Sequence, residues 1–380
     1  MIYLDNAATS FPKPPEVLEE MLETYSRLGV LPGKQSYGPA AACDRYLEEA
    51  RSQIAAFFGS RNPEKVLFAY NSTAALKAII HGLAEPGSHV ISTRLEHNSV
   101  LSPLLRLRDR GVITLDTVSF DTNGFIDPQE VADLIGPSTR LVVLNHVSNV
   151  LGTIQPVCEI GRICGENGVP LVLDAAQSAG LVPIDMPAMN IQAVAFTGHK
   201  SLLGPTGIGG LVLGEAMDLR AINLGRPGAD APNTRYPVGF PYCVEPGTPN
   251  LLGIFGLCAA MRHVEHKGIG NLHGRVTSLA RALRDGLASL EAVKLYCAQN
   301  LDNHTGIISC NLEGVDPGDF CVLLVSDFGI AARSGLNCAP LVHEDLGTSP
   351  RGAVRFSFGA FNTEEQVTAV LAAVRAIASR

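Results

Sequence analysis

The stretch LVLDAAQ at residues 171–177 decides the fold, because it has the pattern of a buried strand that ends in a charged residue. Three apolar residues lead into Asp174, and AFTGHKS at residues 195–201 repeats the arrangement with Lys200. Short apolar runs of this kind are typical of strands buried on both faces of a parallel sheet. The predicted strands of this type lie at residues 65–70, 89–92, 112–118, 140–145, 170–174, 192–196 and 209–213.

Helical patterns alternate with these strands. Residues 15–27 and 40–58 are amphipathic, and residues 72–83 follow the first strand as a third helix. Strands that alternate with helices predict an α/β fold with a mainly parallel sheet covered by helices on both faces.

The C-terminal part of the chain has a different pattern. Two long helical stretches, at 250–267 and 272–289, precede a mixture of short strands and helices, which predicts a smaller α+β domain. The later strands are predicted near 293–297, 305–311 and 353–358, and the later helices near 316–326 and 363–379. Residues 223–250 are rich in glycine and proline and predict a long loop, a feature that is usually functional or part of an interface.

Composition restricts the class of protein. The chain has 380 residues, enough for two domains, and its 46% hydrophobic and 17% charged residues are typical of a soluble globular protein. A net charge of −8 argues against nucleic acid or an anionic membrane as the main partner. The start MIYLDN lacks the pattern of a signal peptide, and no apolar run approaches a membrane span, so we expect a cytoplasmic protein. Nine cysteines without a Cys-x-x-Cys pair argue against a disulfide framework and against a metal site.

The Asp174 and Lys200 motifs predict a cofactor site. Ligands of open α/β sheets bind at the carboxyl ends of the strands. A lysine and a carboxylate presented there suit pyridoxal phosphate, since the lysine forms a Schiff base and the carboxylate keeps the pyridine nitrogen protonated. A helix cap for Asp174 and a surface position for Lys200 are the alternatives. The glycines in GPTGIGG, residues 204–210, are expected to let the backbone approach a ligand closely.

Two further strand ends carry polar residues. The sequence NST at 71–73 follows a strand and opens a helix, which favours a site for the cofactor phosphate, with a plain helix cap as the alternative. His97, in LEHNS at 95–99, follows another strand and is positioned to stack on a cofactor ring and to assist proton transfer, although a lone histidine is more often structural.

Cys338 and Arg355 are the candidates for acting on a substrate. Cys338 lies in the polar loop RSGLNCAP at 333–340, where Arg333 and His343 would favour its nucleophilic thiolate form; the alternative is an inert cysteine. Arg355, in AVRFS, is a charge inside an apolar strand and needs an anionic partner. Its planar fork suits a substrate α-carboxylate, and a structural salt bridge is the alternative.

In combination, these motifs resemble the pyridoxal-phosphate cysteine desulfurases of the class V aminotransferase family, which have fold type I. The resemblance covers essentially the whole chain, from YLDNAAT at residues 3–9 to Arg355. The cysteine loop is similar to the short loop of the group II branch, which also contains selenocysteine lyases. The chain departs from that branch at residues 71–73, where Gly-Thr-Thr is usual, and at Thr197, where many members have serine.

The resemblance implies a fold and a set of roles. A large domain at 15–260 would hold a mainly parallel, seven-stranded sheet, and residues 1–14 and 261–380 would form the smaller domain. Lys200 would be the Schiff-base lysine and would move the Cα proton, with Cys338 taking sulfur as a persulfide. The implied cofactor ligands are Asp174 at the pyridine nitrogen, Gln177 at the phenolic oxygen, His97 on the ring, Ser72, Thr73, Thr197 and His199 at the phosphate, and Thr248 from the other subunit of a homodimer. The implied substrate ligands are Asn149, Arg333 and Arg355.

The expected function is therefore conversion of L-cysteine to L-alanine with transfer of sulfur to the enzyme. Alternatives are a selenocysteine lyase, another class V lyase or aminotransferase, and a non-catalytic sulfur-trafficking scaffold. The expected partners are L-cysteine or L-selenocysteine, a second copy of the chain and a sulfur-acceptor protein. The sequence leaves open which amino acid is preferred.

Overall fold

A seven-stranded sheet forms the centre of the structure, a computed structural model that describes residues 1–32, 38–215, 217, 245 and 247–380. Its strands are β2 Val66–Ala69, β3 Ser88–Thr93, β4 Ile113–Val118, β5 Thr139–Asn145, β6 Leu171–Asp174, β7 Ala193–Thr197 and β8 Gly209–Leu213. They lie in the order β2-β8-β7-β6-β5-β3-β4. Strand β8 is antiparallel to β2 and β7, and the other neighbours are parallel.

Helices bury both faces of this sheet. They are α1 Pro15–Leu28, α2 Gly38–Phe57, α3 Ser72–Leu83, α4 Asn98–Asp109, α5 Pro128–Leu134, α6 Val157–Glu166 and α7 Leu251–Lys267, with a 3-10 turn at Pro63–Lys65. Successive residues of β6 enter different cores: Leu171 and Leu173 pack with residues of α2, α5, α6 and α7, and Val172 packs with residues of α3 and α4. Both faces are thus apolar, which explains why the strand sequences are continuous rather than alternating.

A second, smaller sheet lies in the C-terminal part. Strands β9 Val293–Leu295, β10 Ile307–Leu312 and β12 Val354–Ser357 form an antiparallel sheet in the order β12-β10-β9. The helices of this part are α8 Ile269–Ala288, α9 Pro317–Phe328, α10 Pro340–Asp345 and α11 Glu364–Ala378. The N-terminal strand β1 Ile2–Tyr3 pairs in parallel with β11 Ile330–Ala331, and Leu4 is buried in the core beneath the small sheet.

The predicted fold class is confirmed, and the α3 helix has the predicted bounds. The sequence did not predict β1, β11 or α10, which are short and gain their stability from contacts with distant segments. The helix predicted to begin at 272 begins at Ile269. The domain boundaries remain a prediction. Of the predicted loop at 223–250, residues 223–244 and 246 lie outside the described residues. In the described part of the chain, no helix combines the length and apolarity required to cross a membrane.

Candidate active site

A cavity opens at the carboxyl ends of the central strands. Asn145 ends β5, Asp174 ends β6 beside it in register, and Lys200 lies three residues beyond the end of β7. The cavity has a volume of about 230 Å³. Its lining residues are Asn71, Ser72, Thr73, His97, Ser99, Asn145, Asn149, Asp174, Ala176, Gln177, His199 and Lys200.

Lys200 and Asp174 form the charged centre of this cavity. Burial lowers the pKa of Lys200 to about 8, Asp174 opposes the shift, and Arg355 adds to it. Asp174 is only 3% exposed, and burial raises the pKa of its carboxyl, while a hydrogen bond from the Ala176 N–H (2.9 Å) and the charge of Lys200 act in the opposite direction. Such a lysine holds a substantial neutral fraction near neutral pH, which a nucleophilic amine requires.

One side of the cavity is an anion cradle. The Asn71 side chain caps α3 by accepting a hydrogen bond from the Ala74 N–H at 3.0 Å. The N–H groups of Ser72 and Thr73, in the first helical turn, have no intrahelical acceptor and are open to an anion.

Two buried polar atoms near the end of β7 could also bind an anion. Thr197 Oγ1 and His199 Nδ1 have no hydrogen-bond partner within the described part of the protein. Burial, together with the charges of Lys200 and Lys13, lowers the pKa of His199 to about 4, so this ring is neutral at pH 7. Buried polar atoms are normally satisfied, and the oxygens of a phosphate group would satisfy these two.

His97 is held as a neutral imidazole. It is the N-cap residue of α4, and its Nδ1 accepts a hydrogen bond from the Ser99 N–H at 3.0 Å. Burial, followed by the charges of Lys200, Arg355 and Arg333, lowers the pKa of His97 to about 4. Because Nδ1 accepts a hydrogen bond, the ring proton lies on Nε2. Gln177, which also lines the cavity, donates one Nε2 hydrogen to Ala7 O at 2.9 Å and keeps a second donor.

An arginine pair lies beside the cavity and shares one carboxylate. Arg355 is 2% exposed; its Nη2 donates to Asp5 Oδ1 at 2.7 Å and its Nη1 to the Asn149 carbonyl at 2.8 Å. Arg333 is bridged to Arg355 through the backbone, and its Nη1 lies 3.8 Å from Asp5 Oδ2. The salt-bridge alternative for Arg355 is therefore present, yet its Nε is buried without a partner among the described residues. Nothing in the YLDNAAT motif indicates from sequence that Asp5 is the partner of Arg355.

Cys338 lies on an exposed loop, as expected, but one of its expected neighbours has a different role. His343 is fully buried, its Nδ1 lies 2.8 Å from Thr348 Oγ1, and burial lowers its pKa to about 4. The prediction that His343 supplies positive charge to Cys338 is therefore wrong, because a buried histidine of this kind is neutral at pH 7. The charge of Arg333 is shared with Asp5.

Glu96 is a buried acid that sequence reasoning missed. Its Oε1 accepts hydrogen bonds from Thr93 Oγ1 and from the Asn145 N–H, both at 2.8 Å, so it joins the ends of β3 and β5. Its Oε2 has no partner in the described structure. Burial raises the pKa of Glu96 to about 8, and the charge of Asp174 contributes. Its only signal in the sequence is a position next to His97 at the exit of an apolar strand.

The expected role of the glycines needs correction, whereas the role predicted for Thr248 at the other subunit remains a prediction. At Gly209 and Gly210 a side chain would collide with protein atoms, for example with Phe196 O at 2.4 Å from a Cβ on Gly209, so these two glycines allow close strand packing rather than ligand approach. Thr248 is exposed and does not line the cavity. Cys158 is a second exposed cysteine, on α6.

Fold and cavity together define a class of protein. A mainly parallel seven-stranded sheet with a lysine and a carboxylate at adjacent strand ends is the arrangement of a fold-type-I pyridoxal phosphate enzyme. The chain belongs to the class-V aminotransferase family. The model of that family, described as "Aminotransferase class-V", matches residues 2–370. Members of that family depend on pyridoxal phosphate.

Several relatives and solved structures are named cysteine desulfurases. A protein of Methanothermobacter thermautotrophicus, named "Probable cysteine desulfurase", is 34% identical over 372 residues, covering 96% of this chain and 92% of the relative. The apo structure of a cysteine desulfurase from Thermococcus onnurineus NA1 matches with a TM-score of 0.91 and 33% identity, covering 100% of this chain and 94% of that one. The cysteine desulfurase CsdA from Escherichia coli matches with a TM-score of 0.84 and 26% identity, covering 98% and 94%.

Proposed function

We propose that the protein is a pyridoxal-phosphate-dependent cysteine desulfurase that converts L-cysteine to L-alanine and receives the sulfur on Cys338. The observation that carries the proposal is the cavity itself. It combines Lys200, with a pKa of about 8, with the buried carboxylate of Asp174, and it adjoins the Arg355 guanidinium and the Cys338 loop. The relatives named cysteine desulfurase support the choice of substrate.

The residues present fit the cofactor. Thr197 Oγ1, His199 Nδ1 and the N–H groups at the start of α3 would hold the phosphate, and Ser72 and Thr73 add hydroxyls. Asp174 would pair with the pyridine nitrogen, Gln177 would donate to the phenolic oxygen, and His97 would lie against the ring. When bound, the cofactor supplies an electron sink for the bonds at the substrate Cα.

Arg355 is the proposed ligand of the substrate α-carboxylate. Its Nε has no partner among the described residues, and a planar guanidinium binds a carboxylate through paired hydrogen bonds. Arg333 lies alongside and adds positive charge at longer range. Asn149 is the predicted second ligand at this position.

Lys200 and Cys338 carry out the proposed chemistry. Lys200 removes the proton from the substrate Cα and later returns a proton, for which a pKa near the working pH is favourable. The Cys338 thiolate attacks the substrate sulfur: an S–S bond forms, and the Cβ–S bond breaks with its electron pair left on carbon. Protonation of that carbon gives alanine, and Cys338 ends as a persulfide. The sum is cysteine plus thiol to alanine plus persulfide, which is balanced without an added oxidant.

A second copy of the chain is part of the proposal. Tyr70 is 74% exposed although it directly precedes the anion cradle, and Thr248 is exposed outside the cavity. A large apolar side chain left exposed beside a binding site is typical of a surface that another chain covers. In the proposed homodimer the partner would cover this edge and Thr248 would reach the other subunit's phosphate site.

The test compares three proteins in the presence of a thiol reductant: wild type, Cys338→Ala and Cys158→Ala. Both cysteines are exposed, so Cys158→Ala controls for the loss of an accessible thiol. We expect wild type and Cys158→Ala to release alanine from L-cysteine and to carry a sulfur adduct on Cys338, and Cys338→Ala to release almost none. Alanine release by Cys338→Ala at the wild-type rate would refute the assignment of the nucleophile, and pyruvate as the product would identify a lyase instead.

A further inference from the structure

The backbone carbonyl of His199 accepts hydrogen bonds from several residues near the N-terminus. Thr9 Oγ1 donates to His199 O at 3.0 Å, and Ser10 donates twice, through its N–H at 3.0 Å and its Oγ at 3.2 Å. Lys13 Nζ donates to the same oxygen at 2.7 Å. A carbonyl oxygen has two lone pairs, so these four donors must share them.

Lys13 supplies the strongest of the four bonds. An ammonium donor makes a shorter and stronger hydrogen bond than a neutral donor, and the distance from Lys13 Nζ is the shortest of the set. The same Nζ donates to Ser10 Oγ at 2.7 Å and so orients the hydroxyl that reaches His199 O. Burial lowers the pKa of Lys13 to about 8, and no carboxylate in the described part of the chain pairs with it. Its charge therefore acts on these two oxygens.

The backbone on either side of Lys13 is stiff. Pro12 precedes it and Pro14 and Pro15 follow it, and each proline fixes its own φ angle. Pro14 also restricts the backbone of Lys13 itself. The helix α1 begins directly afterwards, and its residue Val17 is buried against α7. The ammonium thus projects from a segment that is anchored to the large domain rather than from a free tail.

The bonded carbonyl belongs to the peptide that joins His199 to Lys200. On the other side of Lys200, the Leu203 N–H donates to Lys200 O at 2.8 Å and closes the turn. Among the described residues, the donors to His199 O all come from residues 9–13. The peptide that precedes Lys200 is therefore fixed from outside its own turn.

We infer that Lys13 is a positioning residue for Lys200: its ammonium holds the His199 carbonyl and thereby fixes the peptide from which the Schiff-base lysine reaches the cavity. The inference rests on the proposed function for its kinetic consequence, but not for its structural one. It changes none of the predicted ligands of the cofactor or the substrate, because Lys13 does not itself line the cavity.

Three variants separate the charge of Lys13 from its bulk. Lys13→Met keeps the aliphatic stem and removes the ammonium, whereas Lys13→Arg keeps a charged donor. The control is Lys65→Met, because Lys65 Nζ also donates to a backbone carbonyl, Met217 O, at 2.6 Å. Lys65 precedes β2, and Asn71, beyond the other end of that strand, lines the cavity, so the control bond lies at the opposite edge of the sheet.

Hydrogen exchange tests the structural consequence without turnover. The full-length protein is labelled without substrate, and the peptide that contains Leu203 is followed by mass spectrometry. The Leu203 amide should exchange about tenfold faster in Lys13→Met than in wild type, because the turn loses its strongest external bond. Lys13→Arg and Lys65→Met should exchange at the wild-type rate. Exchange at the wild-type rate in Lys13→Met would overturn the inference.

The kinetic consequence is tested with L-alanine and the holoenzyme. Alanine has no sulfur, so the replacement of its Cα hydrogen by deuterium from the solvent depends on Lys200 and not on Cys338. At saturating alanine and pyridoxal phosphate, proton NMR should show this rate falling about 10- to 100-fold in Lys13→Met, because a displacement of about 1 Å has an effect of this size. The apparent Kd of alanine, measured from the cofactor absorbance, should change less than about twofold.

Rescue by the conservative variant identifies the charge as the cause. Lys13→Arg should exchange the Cα hydrogen within about threefold of the wild-type rate, since it keeps a charge-assisted bond, and Lys65→Met should match wild type. An arginine variant as slow as Lys13→Met would contradict the inference. So would a defect in Lys13→Met that excess pyridoxal phosphate restores, because Lys13 would then act as a counter-charge to the cofactor phosphate.

Two further provisions keep the outcomes distinct. If Lys13→Met does not fold, Lys13→Gln, which is also uncharged, replaces it in both tests. A wild-type holoenzyme that left the Cα hydrogen of alanine in place would refute the proposed function, whereas the hydrogen-exchange comparison would still decide the role of Lys13.

Discussion

Replacing Glu96 by glutamine should change how stability depends on pH. The Glu96 carboxyl is fully buried, with Oε1 accepting two hydrogen bonds and Oε2 unpaired in the part of the chain that the structure describes. Glutamine has the same shape and keeps the accepting oxygen, so both bonds to Oε1 are retained. What the substitution removes is the ability of this position to become charged.

The size of the effect follows from the pKa of Glu96, which burial raises to about 8 from an ordinary value of 4.5. As pH rises from 4.5 towards 8, the unfolded chain releases this proton while the folded chain keeps it, so higher pH favours unfolding of the wild type. One pKa unit corresponds to about 1.4 kcal/mol. Between pH 5 and pH 7 the wild type should therefore lose about 2–3 kcal/mol that the Glu96→Gln variant retains.

The assay is urea unfolding of the apo protein at pH 5, 6 and 7, followed by circular dichroism, for wild type and Glu96→Gln. The control is Glu130→Gln at an exposed position of α5, which removes the same charge from a hydrated site. The difference between Glu96→Gln and wild type should grow with pH in favour of the variant, and that between Glu130→Gln and wild type should stay flat. A pH-independent difference for Glu96→Gln would refute the neutral buried acid.

Three further outcomes are expected. Thr197→Val should stabilise the apo protein by about 1 kcal/mol, because it removes a buried hydroxyl that has no partner among the described residues. It should also weaken pyridoxal phosphate binding about tenfold, whereas Thr197→Ser should change neither property. Equal cofactor affinity in Thr197→Val would contradict the phosphate role. The rate of cofactor uptake by the apo protein should rise with pH and level off near the Lys200 pKa of about 8, since only the neutral amine attacks, whereas N-acetyl-lysine amide should continue to rise beyond pH 9. Asp5→Asn should lower the free energy of unfolding by about 2 kcal/mol, because Arg355 is buried, and Asp316→Asn, paired with the exposed Arg351, by less than about 1 kcal/mol.

The cofactor cavity could be predicted because local sequence determines it. Asp174 and Lys200 each follow an apolar strand, and parallel strands that end at the same edge bring such residues together without any knowledge of distant contacts. The anion cradle is equally local, since Asn71 caps the helix that it precedes. Periodicity and capping therefore sufficed for α3 and for one wall of the cavity.

The contacts that complete the site could not be predicted, because they join residues far apart in the chain. Asp5 and Arg355 are separated by 350 positions, and nothing near Arg355 in the sequence indicates which carboxylate it meets. Glu96 reaches Asn145 across 49 positions. His343 looked like a polar loop residue in the sequence, yet α10 carries it into the interior, where it is neutral. Tertiary packing decides burial, and burial decides charge.

The first ten residues have a consequence for how the enzyme is made. They contact both the proposed cofactor residues and the proposed substrate residue. Ala7 O accepts a hydrogen bond from Gln177, Thr9 and Ser10 donate to His199 O, and Asp5 pairs with Arg355. Its partners in β11 and β12 are Ile330 and Arg355, which the ribosome synthesises long after this segment. The contacts of this segment with Gln177 and His199 can form once the large sheet has folded, whereas its pair with Arg355 must wait until β12 has been synthesised.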